Sequence, residues 1–406
     1  MLFLACAYLF LPTPSDSRTI LVNDFEELRS ACLNARPGDT IVLAPGTYTI
    51  GGYSSLRVRK RPGPITVKGA TGNPADVIIE GAGIDDTSVS HVFNLDDSPR
   101  WTFQDFTTRN TYYFGFKFDH GSTDCIIRNV VMRDHGSAGI KGTSDPDAGT
   151  YPDRLLVESC DIAFNKPSGS SREAVEGIDG VGVNDWVIRK NRFVNIQKHG
   201  GDGIAYALFT KGNSSNTIIE ANYFESCFIA ISLGGGGTGE KFFRDFGDIY
   251  EHSNGMIRNN VVVGSKDAGI YVNKGIDTKI YNNTLFECEL NIELRFPESS
   301  GLVRNNLVKL RPSNPRTPLV RLRDGATLLA NESNRLAHST DFEETLSSSG
   351  HINLRLKAGS SAIDTGVDLT EDVPSDFDGV SRPQNSKFDV GAYEFIQEKA
   401  SRSSSK

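Results

Sequence analysis

The chain has 406 residues, 38% of them hydrophobic, with 40 glycines and a formal charge of −8. An acidic balance excludes nucleic acid as a general partner, while a local basic face can still bind an acidic polymer. The length exceeds what one compact core usually serves, and the glycines suit many tight turns.

The first stretch, "MLFLACAYLFLP", is too short to span a bilayer. It reads as the apolar core of a signal peptide, so residues 1–17 are assigned to export and the protein to a secreted, periplasmic or cell-surface location. Beyond it stand Cys32, Cys125, Cys160, Cys227 and Cys288. An odd count without close spacing predicts small core residues, not a disulfide framework. Residues 24–35, "DFEELRSACLNA", predict a short amphipathic helix capped by Asp24 and Glu27, with Phe25, Leu28 and Cys32 on its apolar stripe. Such a helix would cover the open end of whatever sheet follows.

From residue 100 to 310 one short phrase recurs: "IIRNVVM", "LVESCDI", "VIRKNRF", "IIEANYF", "MIRNNVV", "KIYNNTL" and "LVRNNLV". Its fifth positions are Val130, Cys160, Asn191, Asn222, Asn260, Asn283 and Asn306, spaced 30, 31, 31, 38, 23 and 23 residues apart. A period near 23 with strand-like alternation is one coil of a solenoid. Asparagines stacked at the ~4.8 Å interstrand spacing donate and accept along a column. The fold class that follows is all-β: a single-stranded right-handed parallel β-helix over residues 18–320, with an N-terminal capping helix. Residues 321–406 are assigned to terminal coils, a C-terminal docking segment and a short disordered tail.

A second strand follows each phrase. Aligning Phe116, Ile140, Ile178, Ile204, Ile231, Ile270 and Ile292 as inward residues predicts an outward column of Lys117, Lys141, Asp179, Ala205, Ser232, Tyr271 and Glu293. His135 and His199 each stand five residues before their inward isoleucine, with Glu173 at that offset between them.

"ARPGDTIVLAPGTY" (Ala35 to Tyr48) and the closing run from Ser360 to Phe395 resemble the two ends of pectate-lyase-like β-helix proteins. The likeness points in particular to secreted bacterial polysaccharide lyases of the chondroitinase B and alginate lyase type. "NIELRFPE" at Asn291 is the nearest match to their catalytic signature. The resemblance implies a carbohydrate-active protein. It leaves the reaction open, because the same scaffold carries lyases, epimerases, hydrolases and non-catalytic glycan binders.

Departures from the period mark the functional face of a solenoid. The insertions cluster in residues 140–255, and the longest, 234–254, mixes glycines with Phe242, Phe243, Arg244 and Tyr250. A uronate lyase must neutralise the substrate carboxylate, remove the C5 proton and protonate the leaving oxygen. Lys141, Lys211, His135 and His199 are the predicted catalytic residues. Lys117, Asp202, Tyr206, Arg244 and Tyr271 are expected to bind substrate, and Glu173 with Asp179 to hold a calcium ion. The expected partner is an acidic polysaccharide, met by a monomer that does not span a membrane. A glycosidase would instead recruit Asp185, Asp202 or Glu176 from loops to complete a carboxyl pair.

Overall fold

The computed structural model describes residues 17–165, 174–199, 203–235, 237–245, 247–343, 345–346 and 352–397. Residues 1–16, which contain nearly all of the expected signal peptide, lie outside it. Among the described residues no helix is long and apolar enough to cross a membrane.

The chain winds into a right-handed parallel β-helix. One wall is a 21-stranded sheet of short strands built from the recurring phrase, and the other is a ten-stranded sheet. We label the ten β1 (Leu56–Arg59), β2 (His91–Asp96), β3 (Phe114–Asp119), β4 (Ala138–Thr143), β5 (Ala174–Val181), β6 (Ile204–Lys211), β7 (Ile229–Leu233), β8 (Ala268–Asn273), β9 (Leu290–Arg295) and β10 (Val320–Arg323). Each pairs in parallel with its neighbours, so one residue per coil falls in each column.

Between the walls inward side chains stack along the axis, as do Phe93 on Phe116 (5.3 Å between ring centres) and Phe193 on Phe224 (4.7 Å). Stacked aromatics fill a narrow core that no single coil could close alone. All five cysteines are buried and unbridged. The helix α1 (Phe25–Leu33) lays Phe25, Leu28, Ala31 and Cys32 against the first coil. Asp24 accepts from the Glu27 amide at 2.9 Å, whereas the Glu27 carboxylate reaches one residue further back than a capping box requires, to the Asn23 amide at 2.8 Å.

The asparagine column forms as its spacing predicts. Each Oδ1 accepts from the backbone N–H and the side-chain Nδ2 of the asparagine one coil earlier, at 2.9–3.0 Å through Asn191, Asn222, Asn260, Asn283 and Asn306. Asn334 adds a sixth member that the repeat spelling had not revealed. The residue before each ladder position, from Ser159, Lys190 and Ala221 to Asn259, Asn282 and Asn305, has φ of 52–55°. That left-handed corner is tolerated best by asparagine among residues with a side chain. It turns the next residue into the interior, which explains the spelling "NN".

The C-terminal segment packs outside the solenoid over its later coils. Phe342, Leu354, Val390 and Tyr393 form a second apolar core with Tyr223, Val261, Phe286 and Leu307. The corner asparagines bond its backbone: Asn259 donates to the Ser375 carbonyl (2.7 Å), Asn282 to Asp389 (2.9 Å) and Asn305 to Val367 (2.8 Å). Asp376, Asp389 and Arg382 belong to this assembly, on a different wall from Lys141.

Candidate functional site

The outer face of the ten-stranded sheet gathers the charged residues. Its central column runs Arg57, Asn94, Lys117, Lys141, Asp179, Phe209, Ser232, Tyr271, Glu293, Arg321. Two residues further along the strands a second runs Arg59, Asp96, Asp119, Thr143, Val181, Lys211, and resumes at Asn273, Arg295, Arg323. Together they hold eight lysines and arginines against four acids, so this face is basic on an acidic chain.

The expected column was correct except at one coil. Ile178 pairs with Leu208, not Ile204, so Phe209 stands where Ala205 was expected. β6 is eight residues long, and Ile204 pairs further back, with Ala174. The slip also removes His199 from the register of His135: it lies exposed in a turn, nine residues before its inward Leu208. His135 is not on the face at all. Its ring is buried between the hydroxyls of Thr108 (3.1 Å) and Thr111 (2.7 Å), and burial pushes it down to about 3, so it is a neutral structural group.

Lys141 donates to Asp179 in the next coil, and Lys117 pairs with Asp119 at 2.8 Å. The bond to Asp179 suits Lys141 to the placing of positive charge on this face rather than to proton abstraction. Lys211 lies over the Phe209 ring at 4.7 Å, and Phe209 stacks on Tyr206 at 4.5 Å. A Cβ on Gly235 would come within 3.3 Å of both Phe209 and Lys211, so the long insertion leaves β7 closely packed on these two side chains. Tyr271 continues the face and accepts from Asn273 Nδ2 at 3.2 Å. Arg244 is engaged by the chain itself. It clamps Asp153 with two bonds of 2.7 and 2.8 Å and covers the Tyr151 ring at 3.7 Å, tying the 234–254 insertion to the earlier one. Glu173 and Asp202 lie outside the described residues.

The residue that the loop assignment misplaced is Glu176. It sits in β5 in a third outward column, between Ala138 and Tyr206. Strict alternation from Asp179 would send Glu176 inward. The strand kinks instead: a Cβ on Gly177 would meet the core ring of Phe193 at 3.0 Å, and Ile178 is inward too. Two consecutive inward residues put Glu176 and Asp179 on the same outer face. Glu176 is 7% exposed, with a long 3.5 Å contact from Ser137. Burial first, and the Asp179 charge second, push its carboxyl up to about 8.

Buried polar atoms normally have partners. On this face His91 Nδ1, Asn94 Oδ1 and Asp179 Oδ1 have none among the described residues. Beside it a cleft of about 770 Å³ opens between the insertion (Phe243, Ile249, Glu251) and the coil edge (Asn273, Lys274, Phe296). Among the described residues no three His, Cys, Asp or Glu converge, and one Asp179 oxygen bonds the Lys141 ammonium. Glu173, the other residue expected to hold calcium, lies outside the described residues.

No family model matches the chain, and no curated protein does. Solved structures do match. A pectate lyase, Pel9A, superposes with a TM-score of 0.57 at 17% identity, over 93% of this chain and 96% of its own. A rhamnogalacturonan lyase superposes at 0.53 with 14% identity, over 83% and 91%. The fold of this chain is that of the pectate-lyase-like parallel β-helix. Similarity at this level speaks for architecture, and the chemistry rests on the face just described.

Proposed function

We propose that the outer face of the ten-stranded sheet binds an acidic polysaccharide and cleaves it by elimination. The observation that carries this reading is Glu176: a buried carboxyl raised to about 8, set among lysines on a basic face of an acidic chain. Once ionised, such a group is a stronger base than an ordinary carboxylate and is matched to mildly alkaline conditions. In the proposed step Glu176 takes the C5 proton of a uronate. The electron pair moves toward the sugar carboxylate, where Lys141, Lys117 and Lys211 stabilise the charge. The bond from C4 to the leaving oxygen breaks as the C4–C5 double bond forms. The leaving oxygen takes a proton from Tyr206, which pairs in register with Glu176 and whose phenol burial pushes up to about 12. Both structures named above are lyases, which supports this class of reaction.

One observation favours a second reading. Two carboxyls on one strand, one raised and one salt-bridged, also suit a glycosidase with Glu176 as acid. The experiment that separates them is incubation with pectate, alginate and chondroitin at pH 6 to 10. Ultraviolet absorbance of an unsaturated product, rising through pH about 8, supports elimination. New reducing ends without absorbance, lost through the same pH, support hydrolysis. Export of a monomer accompanies either reading and is checked by locating the protein in the growth medium and sizing it.

A further inference from the structure

The second site lies on the opposite wall. The outward column following the asparagine ladder reads Asp161, Arg192, Tyr223, Val261, Thr284, Leu307. It changes from charged to apolar at Tyr223, where the C-terminal segment begins to cover it. The corner column changes at the same coil, from Lys190 and Ala221 to the asparagines that grip that segment. The step between bare and covered coils is a cleft of about 470 Å³. One side is Lys190, Arg192 and Tyr223, and the other Arg355, Phe377 and Tyr393.

The chemistry of this cleft is specific. Lys190 is exposed and makes no ion pair with a described residue. Arg355 holds Asp378 through two bonds of 2.9 and 2.7 Å, which fixes its guanidinium 5.0 Å above the Tyr393 ring. Phe377 packs on Tyr393 at 5.1 Å with the rings tilted by 50°, giving an angled aromatic wall beside the cations. Aromatic faces take the apolar side of a pyranose, and cations take an anionic substituent. The Tyr223 hydroxyl accepts from the Ile352 amide at 3.3 Å, tying the two sides together.

We infer that this cleft is a non-catalytic binding site for an anionic sugar residue, held between the Lys190 corner and the Arg355–Tyr393 wall. It stands independently of the elimination reading and would let the protein hold a charged polysaccharide at a second point, with the gain in apparent affinity that two linked sites provide.

The test is calorimetric titration of the full chain carrying Glu176→Gln, with an oligogalacturonate, a sulfated galactan fragment and a neutral cello-oligosaccharide as probes. Two binding events are expected with an anionic probe, and one of them should weaken at least tenfold in Lys190→Glu and in Arg355→Gln. If the groove does not bind, a single event remains and the same variants weaken it, so the two readings fail separately. Preference for the carboxylated or the sulfated probe identifies the anionic group. Lys190→Glu should leave the melting temperature and, in the otherwise native chain, turnover of a short oligosaccharide unchanged. Unaltered binding in both variants, or equal affinity for the neutral probe, overturns the assignment.

Discussion

Two clusters of buried charge sit on opposite walls of this solenoid, and they are finished differently. Under the C-terminal segment, Arg382 and Glu394 form a fully buried pair at 2.5 Å. Glu394 also accepts from the Asp389 and Gln384 amides at 3.0 Å each, and Arg382 bonds Asn259 and the Gly391 carbonyl at 3.1 and 2.8 Å. On the ten-stranded sheet, among the described residues, Asp179 is paired through one oxygen and has no partner at the other, while Glu176 keeps a long Ser137 contact. The Arg382–Glu394 cluster takes nearly all of its partners from within the chain, with Arg382 Nε the one buried atom of this pair that lacks a partner among the described residues. The outer-face cluster leaves more of its atoms open, as the proposed site requires, and burial with the Asp179 charge raises its Glu176 carboxyl.

The largest effect that would break the comparison is on turnover. Glu176→Gln should lower kcat by roughly 100- to 10,000-fold, the usual scale for a general base, with the far-ultraviolet circular dichroism spectrum unchanged. Retained activity would return Glu176 to the structural class. Arg382→Ala should do the reverse, costing about 3–5 kcal/mol by leaving Glu394 buried and unpaired, with kcat intact in the folded fraction. Denaturant titration reads the first quantity and initial rates the second.

Next comes the ladder. Asn260→Ala should cost about 1–3 kcal/mol, because it orphans groups in the coils on either side. pH sharpens the contrast further. Glu176 has a raised folded value, so the native state is favoured while it stays protonated and loses that advantage as pH rises from its unfolded range through about 8. Glu176→Gln should therefore be more stable than the native chain at pH 9 and close to it at pH 5, read from thermal melts. The smallest effect belongs to His199→Ala. An exposed turn residue should change stability by no more than about 0.5 kcal/mol and leave the rate alone, although its spelling had marked it as catalytic.

Much of the architecture was legible because a solenoid repeats its instructions. The double asparagines announce both a left-handed corner and an inward ladder member. The outward column from Lys117 to Glu293 was readable through its inward partners except at β6, where eight strand residues offered both Ile204 and Leu208 as the aligned position. His135 misled for a physical reason: a histidine among glycines reads as surface, but Thr108 and Thr111 from the preceding coil enclose it.

By itself the sequence determined the β-helix, its ladder, its capping helix and most of the outward column, since each depends on short-range pattern and on stacking one coil upon the next. Only the tertiary structure decided which charges are buried, paired or left open. The kink at Gly177 brings Glu176 out beside Asp179, and the neighbouring coil supplies Lys141 as its counter-ion. Arg244 is withdrawn into a clamp by an insertion ninety residues from its partner Asp153. Whether a polar group is buried, paired or left open depends on neighbours distant in sequence, and that is the property from which the proposed chemistry follows.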